Sequence, residues 1–180
     1  LSLRLAMIAP RLKAATIGWQ HNCYDGYLHV KPVVFWQQEN LLQQYLPNLD
    51  RYIVLSDYDK RDYMEKLGID CEVKINPRSF VSEKKCDVKS KRFLMATRFV
   101  YAKGLDLMME SFEEFCKEDS EWELDIIGDG DLFDQIRADA KKRHLEKRVH
   151  FVGYTNEPEK YYLNSSVFLL PSRWEGWPMV

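Results

Sequence analysis

The sequence predicts an α/β protein with parallel sheets, organised as two Rossmann-like halves. Three observations predict it. Apolar runs of strand length alternate with longer stretches whose apolar residues recur at helical spacing. From Lys91 onward this alternation is regular, as expected of βαβ units that join parallel strands. A lysine-rich, apolar-poor stretch at 77–91, PRSFVSEKKCDVKSK, separates that half from a less regular one before it.

Taken in order, the chain opens with LSLRLAMIAPRLKAA, which reads as the middle of a helix. Arg4, Pro10, Arg11 and Lys13 interrupt it and no small-residue cleavage site follows, so it makes a poor signal peptide. The same cations flank apolar residues, which leaves open a helix lying on a membrane surface beside the ordinary reading of a packed helix. ATIGWQ (15–20) reads as a strand, a helix is expected over roughly Phe35 to Leu46, and RYIVLS (51–56) reads as the next strand. Ser56 is placed to cap a helix from Asp57 to Leu67 that Gly68 stops. CEVKIN (71–76) is one more strand before the 77–91 linker.

In the second half, RFLMAT (92–97) is a short buried-strand candidate. Leu105, Met108, Met109, Phe112, Phe115 and Cys116 then recur at helical spacing, opposite Glu110, Glu113, Glu114 and Lys117. WELDIIG (122–128) is the second strand, and Leu132, Phe133, Ile136 and Ala140 mark a helix. VHFVG (149–153) is the third strand, a short helix covers about Pro158 to Leu163, and VFLLP (167–171) is the fourth strand. Each half looks incomplete as a doubly wound domain, so the chain reads as an internal excerpt.

Composition excludes several classes. Hydrophobic residues at 46% and charged residues at 30% are globular values, and a net charge of -2 carries no polyanion-binding signature, so nucleic acid is not an expected partner. No apolar run approaches the roughly 20 residues that span a bilayer. Cys23, Cys71, Cys86 and Cys116 lie far apart without a CxxC pair, which suits free thiols in a reducing compartment. His21, His29, His144 and His150 form no metal-binding grouping, so no metal is expected.

Ligands of open parallel sheets bind beyond the carboxyl ends of the strands, and four features of the second half fall there. TRFVYAKG places Arg98 and Lys103 at the mouth of the next helix, where two cations and a helix amino terminus suit a diphosphate, although solvated loops carry such pairs as readily. GDGD (128–131) brings Gly128 into a turn that is as well explained by tight geometry as by a ligand. Gly153 and Tyr154 follow the third strand, where backbone and ring can meet a nucleobase or simply turn the chain. PSRWEGWPMV ends the sequence with Glu175 between Trp174 and Trp177, a setting in which a carboxylate can accept sugar hydroxyls.

Arg-x4-Lys-Gly, GDG, FVG and PSxxEGxP occur together and in order, and this set resembles the donor domain of retaining glycosyltransferases of the GT-B fold, family 4, across residues 92–180. The resemblance implies that Arg98 and Lys103 hold the donor diphosphate. It implies that Glu175 is the first glutamate of a Glu-x7-Glu motif and binds hydroxyls of the transferred sugar. Gly128, Gly153, Tyr154, Ser172, Gly176, Trp177, Pro178 and Met179 would line the donor sugar and nucleotide. The second glutamate would lie three residues past Val180. Asp50 to Ser56 and KINP (74–77), with Asn76 in place, resemble the end of the family's acceptor domain, and His21 after its strand would face the donor sugar.

The implied organisation is an acceptor-side part at 1–76, a linker at 77–91 and a donor domain at 92–180. The implied reaction is hexose transfer from a nucleotide-sugar to a glycan or lipid-linked acceptor with retention, in surface polysaccharide or glycan synthesis. No cofactor or metal would be needed. The enzyme would be cytoplasmic or peripheral at the inner membrane face, and the 180-residue stretch alone would be inactive. Thr97, where the family has glycine, and Pro77-Arg78, in place of glycine and aspartate, depart from the pattern. A nucleotide-sugar 2-epimerase of the same architecture and a non-catalytic nucleotide-binding module are the alternatives.

Overall fold

The computed structural model describes residues 2–30, 38–78 and 81–180. The chain divides into two compact units. One comprises Leu1–Ser79 with Trp174–Met179; the other comprises Phe80–Arg173 with Val180.

The first unit carries a parallel sheet in the order β1 (Ile17–Trp19), β2 (Arg51–Val54), β3 (Glu72–Val73). Thr16 fixes the start of β1. Its amide and hydroxyl both donate to the Asp50 carboxylate, at 2.6 and 2.9 Å, which sets Ile17 opposite Arg51. The strands are shorter than the apolar runs that announced them. Pairing nevertheless extends a residue further, with the Gln20 amide donating to the Ile53 carbonyl and the Lys74 amide to that of Val54.

Around the sheet lie α1 (Ser2–Ile8), α2 (Tyr24–Leu28), α3 (Glu39–Tyr45) and α4 (Asp57–Leu67). α1 is a packed helix, with Leu3 and Ala6 buried while Arg4, Met7 and Ile8 stay exposed. The start of the helix expected over Phe35 to Leu46 lies outside the described residues up to position 37, and α3 supplies the rest. α4 begins and ends where its signals put it: the Ser56 hydroxyl accepts from the Asp59 amide, and Gly68 closes the helix at a left-handed φ of 69°. Tyr24, Tyr52 and Tyr63 meet edge to face at the centre of the unit.

The second unit is a four-stranded, wholly parallel sheet in the order β6 (Val149–Gly153), β5 (Glu123–Ile127), β4 (Arg92–Ala96), β7 (Val167–Phe168). Strand alternation sorts its two faces. Met95, Leu124 and Ile126 pack under α5 (Leu105–Glu118) and α6 (Phe133–Lys142), whereas Leu94, Ala96 and Ile127 pack with Tyr161 and Tyr162 of α7 (Pro158–Leu163). On the α7 face, Arg92 bonds Asp125 at 2.9 Å and Glu123 at 2.6 Å, and Glu123 also meets His150 at 2.8 Å. Residues of the 77–91 stretch are tied to this unit, through Ser82 to Glu159, the Asp87 amide to the Leu163 carbonyl, and Ser90 to Ser166. Among the described residues, no helix is long and apolar enough to cross a membrane.

Candidate donor site at the carboxyl ends of the strands

The four loops at the carboxyl end of the second sheet are stitched to one another by backbone. After β4, the Thr97 amide donates to the Ile127 carbonyl and the Phe99 amide to that of Asp129, at 2.9 and 2.8 Å. After β5, the Gly128 amide donates to the Gly153 carbonyl at 2.8 Å, which ties in the loop after β6. After β7, the Leu169 amide donates to the Leu94 carbonyl.

Phe99 explains how Arg98 is presented. Its ring is fully buried against Phe133 and Phe151, and this anchor leaves the neighbouring Arg98 exposed at the sheet end. Lys103 ends a short 3-10 turn, Tyr101–Lys103, and sits directly before Gly104 and α5. The loop that carries both cations therefore runs into the amino terminus of a 14-residue helix, where exposed amides and the helix dipole favour an anion.

The glycines do different jobs. Gly128, at φ 124°, is pressed against the Thr97 backbone, so a Cβ there would overlap the Thr97 carbonyl. Its smallness is accounted for by the join between two loops. Gly153, at φ 79°, has open space where a Cβ would stand and needs glycine for its left-handed backbone alone. Tyr154 beyond it is 78% exposed. Gly104, at φ 64°, lies so close to the Pro171 carbonyl that the loop after β7 rests directly on the entrance to α5.

Arg173, which the sequence reading passed over, holds that contact. Its amide donates to the Ala102 carbonyl at 2.8 Å and its guanidinium to the Tyr101 carbonyl at 2.9 Å. The same guanidinium forks onto both oxygens of Asp106, at 2.8 and 2.6 Å, and lies 4.1 Å from the Tyr101 ring centroid. The hydrogen bonds from Arg173 hold the Asp106 carboxyl below its usual range. An arginine two residues before Glu175 and an acid in the first helical turn were the signals available in the sequence.

Within the first unit, the segment Trp174–Met179 lies along the carboxyl end of β1 and the start of α2. A Cβ on Gly176 would stand 2.5 Å from the His21 carbonyl oxygen, and one on Gly26 would overlap the Trp174 ring. His21, stacked on Trp19 at 5.5 Å, is thus adjacent in space to the residue that follows Glu175. Ser172 and Glu175 are half-buried, while Trp177, Pro178 and Met179 are exposed. The turn that carries His21 is fixed by α2. Cys23 caps this helix by accepting from the Gly26 amide, and Asp59 of α4 accepts from the Tyr24 amide at 2.9 Å. Burial raises the Cys23 thiol pKa and favours its neutral form.

A family model described as "Glycosyl transferases group 1" matches residues 79–180, more than half of the chain. A glycosyltransferase of Haemophilus influenzae, itself described as uncharacterized, is 29% identical over 133 residues, covering 73% of this chain and 38% of that protein. The amylovoran biosynthesis glycosyltransferase AmsD of Erwinia amylovora is 33% identical over 92 residues, covering 51% of this chain and 26% of that protein. This chain thus spans well under half the length of these relatives. Among solved structures, a Staphylococcus aureus TarM variant in complex with fondaparinux, alpha-GlcNAc-glycerol and UDP superposes with a TM-score of 0.79 at 22% identity. The superposition covers 91% of this chain and 33% of TarM, and shows the common GT-B fold. This chain belongs to the family of group 1 glycosyl transferases.

Proposed function

We propose that the protein containing this chain transfers a hexose from a nucleotide-sugar to a glycan or lipid-linked acceptor with retention, and that residues 92–180 contribute the donor site. Residues 1–76 then contribute part of the acceptor side, with 77–91 as the linker. One observation carries the reading: the loop bearing Arg98 and Lys103 and the loop leading to Glu175 are joined at one end of a parallel sheet, at Gly104, Pro171 and Arg173. The UDP in the TarM complex supports a nucleotide-linked donor. The exposed Met7, Ile8 and Leu12 among Arg4, Arg11 and Lys13 support a cytoplasmic enzyme in peripheral contact with an anionic membrane face.

In this reading the acceptor hydroxyl attacks the anomeric carbon from the face that the diphosphate is leaving. The new carbon–oxygen bond forms as the bond to phosphate breaks, and the hydroxyl proton passes to a diphosphate oxygen. Arg98 and Lys103 stabilise the charge that builds on the leaving group, and no bound metal is required for that role. Glu175 and His21 orient the sugar. Gly128, Gly153, Tyr154, Ser172, Gly176, Trp177, Pro178 and Met179 line the donor.

The test is turnover by the full-length protein with UDP-, GDP- and ADP-sugars, with the anomeric configuration of the product read by NMR. Retention is expected. Glu175→Gln should lower kcat at least a hundredfold, and Arg98→Ala or Lys103→Ala should weaken nucleoside-diphosphate binding about tenfold, as loss of a charge-assisted contact implies. An inverted product, or unchanged diphosphate affinity in both cation variants, would overturn the reading.

A further inference from the structure

Arg173 and Asp106 are charged, lie beside the proposed donor site and have no role in the reaction just described. The Arg173 side chain is only 19% exposed although its charge could reach water, and each of its contacts is to the loop or helix on the opposite side of the join. Through its amide it holds Ala102, and through its guanidinium Tyr101 and Asp106. Lys103 lies immediately after Ala102, and Glu175 lies two residues after Arg173. Within the second unit, this side chain therefore helps to hold the loop after β7 on the loop of the diphosphate cations. A guanidinium suits this task because it offers a planar fork to a carboxylate and stacks on a ring, which an ammonium cannot do.

We propose that the Arg173–Asp106 pair is a positioning clamp for sugar transfer: it holds the loop after β7, as far as Arg173, on the loop of the diphosphate cations and touches neither the donor nor the acceptor. The clamp rests on the donor-site reading given above. Preorganised geometry acts on the transfer step more than on nucleotide affinity, because the diphosphate contacts lie on one loop and the sugar contacts on the other. Asp106 matters only as the partner of Arg173, so the two residues form a thermodynamic unit.

The experiment uses the full-length protein, with Arg173→Ala, Arg173→Lys, Asp106→Ala and the double alanine variant. Transfer kinetics are measured beside calorimetric titration with UDP, GDP and ADP and thermal unfolding. Arg173→Ala and Asp106→Ala should each lower kcat ten- to a hundredfold while nucleoside-diphosphate Kd stays within about threefold of wild type. The double variant should be no slower than the worse single variant, and Arg173→Lys should recover less than a third of the lost rate. Wild-type kcat in Arg173→Ala would overturn the clamp, as would fully additive losses or full rescue by lysine. So would a fall in diphosphate affinity that tracks a fall in Tm, the mark of a merely structural role. A wild-type protein that binds none of the three nucleotides would fell the donor-site reading and the clamp with it. Normal wild-type binding and turnover with unaffected variants would fell the clamp alone.

Discussion

At the level of single residues, Gly128 and Gly153 look alike in the sequence, each following a strand and preceding a polar residue. The structure separates them. Gly128 has the Thr97 carbonyl carbon 2.9 Å from where a Cβ would stand, in addition to a positive φ, whereas Gly153 has only the φ. Gly128→Ala must move one loop off the other and is expected to cost about 3 kcal/mol or more, against about 1–2 kcal/mol for Gly153→Ala. Urea unfolding of both variants checks the order, and equal losses would refute it. Nothing in GDG or FVG could have separated a backbone collision from a backbone conformation, because the colliding carbonyl belongs to the loop after β4, some thirty residues earlier. The position of Arg98 and Lys103 was easier to read, since their place after β4 follows from the strand alone.

His29 is a second case at this scale. It bridges Asp25 at 2.8 Å and Glu39 at 2.7 Å. Burial works against its protonation, but the hydrogen bonds to the two carboxylates outweigh that and raise its pKa. A His pKa raised on folding stabilises the protein below the unfolded value near 6.5, and the gain disappears as pH rises through the folded value. The ring is largely exposed, so screening keeps the effect small. The stability difference between wild type and His29→Gln should therefore shrink between pH 6 and pH 8.5; a difference that grows over this range would contradict the assignment.

At the level of elements, the comparison of α4 with α2 shows which helices a sequence can announce. α4 has its cap, its stop and eleven residues within its own stretch, so it was legible to the residue. α2 has five residues with a glycine inside, and half of its capping comes from Asp59, which lies 35 positions later. It was not legible, because its stabilising partner is tertiary. Asp59 also accepts from the Ser56 hydroxyl at 2.6 Å while its own amide donates to that hydroxyl. Losing this buried carboxylate should loosen two helix starts at once. Asp59→Ala is expected to cost about 2–4 kcal/mol, compared with about 1 kcal/mol for Ser56→Ala, and the two losses should be clearly non-additive. Chemical denaturation of the single and double variants measures this. β4, β5 and β6 were read almost to their ends because both faces of that sheet are covered, which demands continuous apolar runs, whereas the edge strand β7 stops at Phe168, three residues short of the expected 167–171.

For the molecule as a whole, the sequence reading divided the chain once, at the 77–91 stretch, and had no means of foreseeing that Trp174–Met179 belongs with the first unit. That membership depends on a tryptophan lying against the one glycine of α2 and on Gly176 lying against the His21 backbone. Gly26→Ala should displace Trp174 and shift its fluorescence without altering the second unit, and an unchanged emission spectrum would count against the contact. The same membership bears on how the protein is made. The first unit lacks six of its residues until position 179 has been synthesised, and the second sheet lacks its β7 edge until position 168 has emerged. At roughly 5–20 residues per second, about a hundred residues separate the end of the early segment from its late-made portion, a wait of roughly 5–20 s on the ribosome. During that interval the surface that will receive Trp174 is uncovered on a nascent chain, which makes it a natural point of engagement for ribosome-associated chaperones.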